Sequence, residues 1–150
     1  MSRRHRPAPE LFQAAVDGDR SALARLLSLI ERGDDDARVI GRLAYPLSGS
    51  GYTVGLTGAP GAGKSTLTSS LIGLLRAQDL EIAVLAIDPS SPFTGGAILG
   101  DRVRMQDHAT DPGVFIRSMA TRGHLGGLSL ATPEAVRVLD AIGRKWILVE

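Results

Sequence analysis

The sequence predicts an α/β fold, in which a parallel sheet is flanked by helices and preceded by a helical arm. Three observations support this prediction. Segments with the patterns of strands and of helices alternate from residue 52 onward. The run from Glu81 to Asp88 is apolar almost throughout, which is typical of a strand covered on both faces of a parallel sheet. A glycine-rich stretch at residues 58–63 joins a strand pattern to a helix pattern.

The N-terminal third has the residue spacing of three helices. The first begins near Pro9 and ends before Asp17, because proline suits a first helical turn and an Asp-Gly-Asp turn follows. The second has Ser21 as its N-cap and Gly33 as its stop. Its apolar residues recur on one face: Leu23, Leu26, Leu27 and Ile30. The third follows an acidic run at residues 34–36, since carboxylates stabilise a helix N-terminus.

A short stretch of small residues, Ser48 to Gly51, separates this arm from the rest of the chain. We therefore divide the chain into a helical arm at residues 1–47 and a sheet-forming portion at residues 48–150. In that portion the patterns predict these elements in order: strand 52–57, helix 64–78, strand 81–88, strand 114–119, helix 133–142 and strand 146–149. Residues 89–112 form a long loop, and loops of this length are usually functional or disordered.

Composition narrows the class of protein. The 17 basic and 16 acidic side chains give a net charge of +1, whereas proteins devoted to nucleic-acid binding are usually strongly basic. The chain has no cysteine and hence no thiolate metal ligand, which fits a reducing compartment. No apolar stretch approaches the roughly 18 residues of a membrane-spanning helix. We expect a soluble, cytoplasmic protein that has neither nucleic acid nor membrane as a partner.

The glycine-rich stretch matches the phosphate-binding pattern G-x-x-x-x-G-K-[ST] in full. Its residues are Gly58, Ala59, Pro60, Gly61, Ala62, Gly63, Lys64 and Ser65, and Thr66 continues it. Glycines allow a tight turn, so that N–H groups of the loop and of the next helix N-terminus face phosphate oxygens. Lys64 supplies a positive charge for the β- and γ-phosphates, and the Ser65 hydroxyl is a ligand that Mg²⁺ prefers. The pattern predicts a nucleotide-phosphate site.

Three acidic residues are candidates for the metal side of this site. Asp88 and Glu150 each follow an apolar strand pattern, and ligands of open α/β sheets bind beyond the carboxyl ends of strands. Asp101 lies in the long loop beside two arginines. Asp88 can also be a turn former and Glu150 a solvated side chain, and the two arginines beside Asp101 either neutralise phosphate charge or are solvated, which leaves Asp101 open. His108 and His124 are interpreted as loop residues without a catalytic task, because neither has a metal-ligand partner at a regular spacing.

Three segments carry a resemblance to known proteins. They are residues 58–66, residues 86–105 (AIDPSSPFTGGAILGDRVRM) and residues 123–127 (GHLGG). Together they resemble the MeaB/ArgK family of P-loop GTPases, bacterial relatives of the human methylmalonic aciduria type A protein. The resemblance extends over about residues 20–150 and implies a P-loop NTPase fold with a G domain of the SIMIBI type.

The resemblance also implies a function. It is that of a Mg²⁺-dependent GTPase that acts as a chaperone of adenosylcobalamin-dependent methylmalonyl-CoA mutase, controlling cofactor loading and protecting the mutase. The implied ligand is GTP, the location the bacterial cytoplasm, and the full-length form a homodimer. The implied catalytic residues are Lys64, Asp101 and Glu150, and the implied metal ligands are Ser65, Asp88, Asp101 and Glu150. Residues 92–105 correspond to the family's first switch segment.

The family continues beyond the acid that Glu150 matches. A second switch, a guanine-reading Asn/Thr-Lys-x-Asp segment and a dimerisation arm have no counterpart in these 150 residues. The sequence therefore resembles the N-terminal part of a longer protein, incomplete at the C-terminus, and we expect this part alone to be weakly active or inactive. Two other interpretations stay open: a P-loop ATPase or kinase of the arginine/ornithine transport type, and a non-catalytic interaction module.

Overall fold

The computed structural model describes residues 6–59, 61–88, 108, 110–120 and 131–150. The helices within these residues are α1 (Ala8–Val16), α2 (Arg20–Arg32), α3 (Asp35–Ala44), α4 (Lys64–Ala77) and α5 (Ala131–Ala141). The strands are β1 (Tyr52–Gly55), β2 (Ile82–Asp88), β3 (Val114–Ala120) and β4 (Trp146–Val149). A 3-10 turn, Tyr45–Leu47, follows α3. From β1 onward, the boundaries lie within two residues of those that the sequence patterns predict.

The four strands form one parallel sheet in the order β1-β4-β2-β3, which confirms the predicted α/β class. Strand β2 lies inside the sheet, with Ile82 opposite Trp146 of β4 on one side and Val114 of β3 on the other. The first four residues of β2 are fully buried, which explains why this segment is a continuous apolar run. Because the strands are parallel, their carboxyl ends lie at one edge of the sheet.

The chain divides into two compact units. The first combines Met1–Ser50 with Leu130–Gly143, and the second combines Gly51–Ser129 with Arg144–Glu150. Helix α5 is therefore grouped with the N-terminal helices, although it lies between two strands in the sequence. The division into domains at residue 48 stays a prediction.

Apolar helix faces form the interior of the first unit. Helices α1, α2 and α3 pack on one another, and α5 packs on α2 and α3. The largest of its fully buried side chains are Leu11, Leu23, Leu26, Leu27, Ile40 and Leu139. The linker after the 3-10 turn is attached to the same unit, because the N–H groups of Gly49 and Ser50 donate to the Asp140 carboxylate at 2.6 and 3.3 Å.

The start of α2 differs from the sequence prediction. Asp19, not Ser21, is the N-cap, and its Oδ1 accepts hydrogen bonds from the N–H groups of Ser21 and Ala22 at 2.9 and 3.1 Å. Both residue types cap helices, and a shift of two residues keeps the apolar face unchanged, so the pattern alone did not decide between them. The predicted stop is confirmed, since Gly33 is the C-cap in the left-handed region at φ 69°.

In the second unit, α4 packs on the sheet. The fully buried residues at this contact are Ile72, Ile82, Val84, Val114 and Leu148. They fix the axis of α4 against β2 and β4, and thereby the position of the loop that precedes α4. Within the described ranges, every helix is too short or too polar to cross a membrane.

Candidate nucleotide-binding site

The glycine-rich loop connects the end of β1 to the start of α4. Gly61 and Gly63 have φ values of 80° and 96°, in the left-handed region that other L-residues adopt only with strain. Gly63 is the N-cap of α4, and the Ala62 N–H donates to the Ala59 carbonyl at 3.1 Å to close the turn. Pro60 lies outside the described residues. The two glycines therefore supply the turn for which the motif needs them.

Lys64 lies across this loop. A β-carbon placed on Gly58 would be in ordinary van der Waals contact with Lys64, at 3.6 Å from its Cγ and 3.7 Å from its Cδ, so the aliphatic part of the lysine lies over the face of Gly58 that has no side chain. Lys64 as a whole residue is half-buried beside this loop.

The N-terminus of α4 follows directly. The first N–H groups of a helix have no partner within the helix, and the positive end of the helix dipole is located there. The Leu67 N–H donates to the Gly63 carbonyl at 2.9 Å, and the Thr68 hydroxyl donates to the Lys64 carbonyl at 2.9 Å. Thr66 is exposed on this first turn. Backbone donors, the positive end of the helix dipole and the lysine of the first turn are the groups with which proteins bind anions, so this end of α4 is a candidate anion site.

Ser65, in the first turn of α4, contacts Glu150 at the end of β4. The Ser65 hydroxyl donates to Glu150 Oε1 at 2.7 Å, and Ser65 is only 6% exposed. The second carboxylate oxygen, Glu150 Oε2, is buried and has no hydrogen-bond partner among the described residues. The structure thus brings together two of the residues that the sequence singled out, 85 positions apart in the chain.

The sheet sets the position of Glu150. Its N–H donates to the Leu85 carbonyl at 2.9 Å, and its carbonyl accepts from the Ile87 N–H at 2.8 Å. On the other side, the Leu56 N–H donates to the Val149 carbonyl at 2.7 Å. The backbone of Glu150 is therefore held by β2 as a continuation of β4, at the carboxyl edge of the sheet.

The donor set fits a magnesium ion. A hydroxyl and a carboxylate are hard oxygen ligands, and the buried, unpartnered Oε2 of Glu150 would gain a partner from a cation or its water shell. The described residues contain no cluster of three or more carboxylate or imidazole side chains. Mg²⁺ commonly binds one or two protein groups and takes its other ligands from phosphates and water, so this small donor set is sufficient.

Of the other predicted site residues, the structure describes the backbone of Asp88. Asp88 ends β2 at the carboxyl edge of the sheet, with its backbone in register with Ala120. Asp101, the switch-like residues 92–105 and the Gly-rich residues 123–127 lie outside the described residues.

Sequence reasoning missed a contact close to the site. Ser69 Oγ lies 3.1 Å from His108 Nε2, so His108 is held against α4. No local pattern could predict this contact, because 39 residues and a long loop separate the two partners.

A phosphate-binding loop between a parallel strand and a helix, with an acidic residue after the adjacent strand β4, defines a P-loop NTPase. The family model described as "Methylmalonyl Co-A mutase-associated GTPase MeaB" matches residues 23–150. The chain therefore belongs to the MeaB family.

Individual relatives agree with the family model. A protein of Pyrococcus abyssi that is named as a GTPase is 60% identical over 141 residues, which cover 94% of this chain and 44% of the relative. GTPase ArgK of Escherichia coli is 39% identical over 145 residues, which cover 94% of this chain and 44% of ArgK. Fused isobutyryl-CoA mutase of Cupriavidus metallidurans is 41% identical over 149 residues, with 97% of this chain and 14% of the relative covered. The chain thus spans less than half of the relatives that it matches.

Proposed function

We propose that the protein is a Mg²⁺-dependent GTPase that acts as a chaperone for adenosylcobalamin-dependent methylmalonyl-CoA mutase, promoting cofactor loading and protecting the loaded mutase. The family description supports the mutase as its partner. A relative in which a similar segment is part of a fused acyl-CoA mutase supports a physical association of the two activities. The activity belongs to the longer protein, of which this chain corresponds to less than half by comparison with its relatives.

The hydrogen bond between Ser65 and Glu150 carries the nucleotide part of this proposal. It joins the last residue of the phosphate-binding motif to the acid that follows β4, and it leaves a buried carboxylate oxygen facing the same region. An ordinary surface glutamate would expose both oxygens to water, because burying an unpartnered charged group costs free energy. The arrangement is therefore better explained by a bound cation than by structural support alone.

Each residue has a defined task in the proposed reaction. The loop N–H groups and the start of α4 bind the phosphate oxygens, and the Lys64 ammonium group offsets negative charge on the β- and γ-phosphates. Ser65 and Glu150 hold Mg²⁺, which when bound supplies further positive charge to the phosphates. We assign Asp88 and Asp101 as additional metal-side acids and Asp101 as a catalytic residue, together with Lys64 and Glu150. Hydrolysis then depends on positioning and charge neutralisation rather than on a covalent step.

The organisation of the longer protein is part of the proposal. Residues 1–47 form a helical arm, and residues 48–150 form the first portion of the G domain. We propose that the full-length protein is a homodimer in the cytoplasm and that its guanine-reading residues lie beyond this chain. The 150 residues alone then bind nucleotide weakly and turn it over slowly or not at all.

The decisive experiment compares GTP and ATP hydrolysis by the full-length protein in the presence of Mg²⁺, with and without methylmalonyl-CoA mutase. Lys64→Ala serves as the inactive control. We expect turnover that prefers GTP, requires Mg²⁺ and increases when the mutase is added. A preference for ATP, or no response to the mutase, would contradict the proposal and favour an ATPase or kinase linked to transport.

A further inference from the structure

We propose that a groove between α3 and α5 binds an acidic, extended segment of a partner protein, which we take to be the mutase; this choice of partner rests on the proposed function. The groove lies wholly within the first unit and has a volume of about 440 Å³. The lining residues that carry the argument are Asp34, Arg38, Arg42, Tyr45, Glu134 and Arg137. We call it the arginine groove.

Two arginines of the groove have uncompensated charges. Arg38 and Arg42 lie four residues apart on α3, both are exposed, and neither has a hydrogen bond or an ion pair with the described residues. Like charges at this spacing weaken a helix slightly. An ion pair within the described residues therefore does not explain the position of the two arginines beside a groove.

The carboxylates of the groove are already engaged. Glu134 Oε1 accepts a hydrogen bond from Arg137 at 3.0 Å, and its Oε2 is buried 3.0 Å from the position of a β-carbon on Gly41. Asp34 caps α3 by accepting from the Asp36 N–H at 3.2 Å, and it lies 3.8 Å from Arg32. Neither acid neutralises Arg38 or Arg42, so the surface between the two helices remains positive.

The third arginine is held in place on the opposite wall. The Arg137 guanidinium carbon lies 5.4 Å from the centre of the Tyr45 ring, and the same guanidinium group is paired with Glu134 at 3.0 Å. Tyr45 itself is 70% exposed. Tyrosine and arginine are enriched at protein interfaces, since they bury a large area and lose little rotational freedom when they are already oriented.

The spacing of these groups favours a polypeptide over a free anion. The β-carbons of residues four apart on a helix are about 5–6 Å apart. Alternate residues of an extended strand are about 6.6 Å apart and point to the same side, so two acidic side chains of one segment match Arg38 and Arg42. Arginine binds carboxylates through two parallel hydrogen bonds, and Tyr45 adds an apolar contact that a free phosphate would not use.

The test measures binding of the full-length protein to the mutase, by titration at low and at physiological salt. Arg42→Glu reverses one groove charge, and Arg25→Glu makes the same change at an exposed arginine of α2 that has no partner among the described residues. We expect Arg42→Glu to raise Kd about tenfold or more, mostly at low salt, and Arg25→Glu to change it less than about twofold. Circular dichroism and GTP turnover without mutase verify that both variants are folded.

The outcomes separate the two proposals. Equal affinities of Arg42→Glu and Arg25→Glu, in a system where the unaltered protein binds the mutase, would overturn the groove and leave the chaperone function intact. Absence of mutase binding by the unaltered protein would overturn the proposed function and, with it, the partner assigned to the groove. A loss with Arg42→Glu that Arg42→Lys largely restores would support recognition by charge at this position.

Discussion

Arg76 and Asp111 form a two-point ion pair at the amino end of the sheet, opposite the nucleotide site. The Arg76 Nε donates to Asp111 Oδ2 at 2.8 Å and its Nη2 to Oδ1 at 3.0 Å. The Arg76 Nη1 also donates to the Leu80 carbonyl at 3.1 Å, and the Gly113 N–H donates to Asp111 Oδ1 at 2.9 Å. One guanidinium group thus ties the end of α4 to the turns before β2 and β3.

This pair makes stability depend on pH. The hydrogen bond from Arg76 lowers the pKa of Asp111, and the Gly113 N–H lowers it further. Since the folded pKa lies below the unfolded value of about 3.9, the stabilisation is complete above that value and is lost as pH falls through the folded pKa. We expect Asp111→Asn to be less stable than the unaltered protein at neutral pH, and the difference to shrink on acidification.

Urea unfolding at a series of pH values measures this difference. Asp79→Asn is the matched control, because Asp79 lies 3.8 Å from the same arginine but its side chain is 99% exposed. Because an exposed ion pair contributes little to stability, the free energy of unfolding of Asp79→Asn should stay close to that of the unaltered protein. If the free energies of unfolding of Asp111→Asn and the unaltered protein differed by the same amount at every pH, the Arg76–Asp111 pair would not be the source of the pH dependence.

Gly113→Ala should destabilise the second unit. A β-carbon on Gly113 would overlap the guanidinium group of Arg76, and Gly113 is buried next to β3. The added methyl group would push the Arg76 guanidinium group, the flexible end of its side chain, away from Asp111, so the variant should lose part of the stabilisation that this ion pair provides. Gly73→Ala, at an exposed helix position with nothing within 4 Å of the added carbon, should instead be neutral or stabilising by up to about 1 kcal/mol. Thermal unfolding of the two variants should therefore shift in opposite directions or differ clearly in size.

Ser65→Ala should impair Mg²⁺-dependent turnover in the full-length protein. The change removes the hydroxyl that contacts Glu150 and leaves the backbone donors of the loop in place. We expect kcat to fall about 100-fold or more, by analogy with the loss of one preorganised charge-stabilising group. Ser70→Ala, at an exposed position of the same helix, provides the control and should retain turnover. Equal activity of the two variants would remove Ser65 from the metal site.

Asp19→Ala tests the corrected cap of α2. Loss of a side-chain N-cap costs about 1 kcal/mol, because helix N–H groups lose their acceptor. Ser21→Ala should change the free energy of unfolding by less than about 0.5 kcal/mol, since only the backbone of Ser21 takes part in the cap. Amide hydrogen exchange in the first turn of α2 reports the effect locally. If Ser21→Ala destabilised the protein more than Asp19→Ala, Ser21 would be the N-cap of α2.

Local patterns predicted most of the fold and the nucleotide part of the site. The apolar run at residues 81–88 and the loop at residues 58–66 carry their own signals, because burial on both faces and phosphate binding each require a fixed residue pattern. Contacts between distant segments carry no such signal in one sequence. For this reason the Arg76–Asp111 pair and the grouping of α5 with the N-terminal helices emerged only from the structure.

Two backbone hydrogen bonds join Glu150 to β2, so the register between β4 and β2 determines where the Glu150 carboxylate lies in the nucleotide site. Neighbouring residues of an extended segment point to opposite faces, so a slip of one residue would present Val149 where the carboxylate now stands. One-residue insertions or deletions in β4 should therefore abolish nucleotide chemistry even when the chain still folds. The pairing of strands therefore sets the position of the Glu150 carboxylate, and the phosphate-binding loop does not.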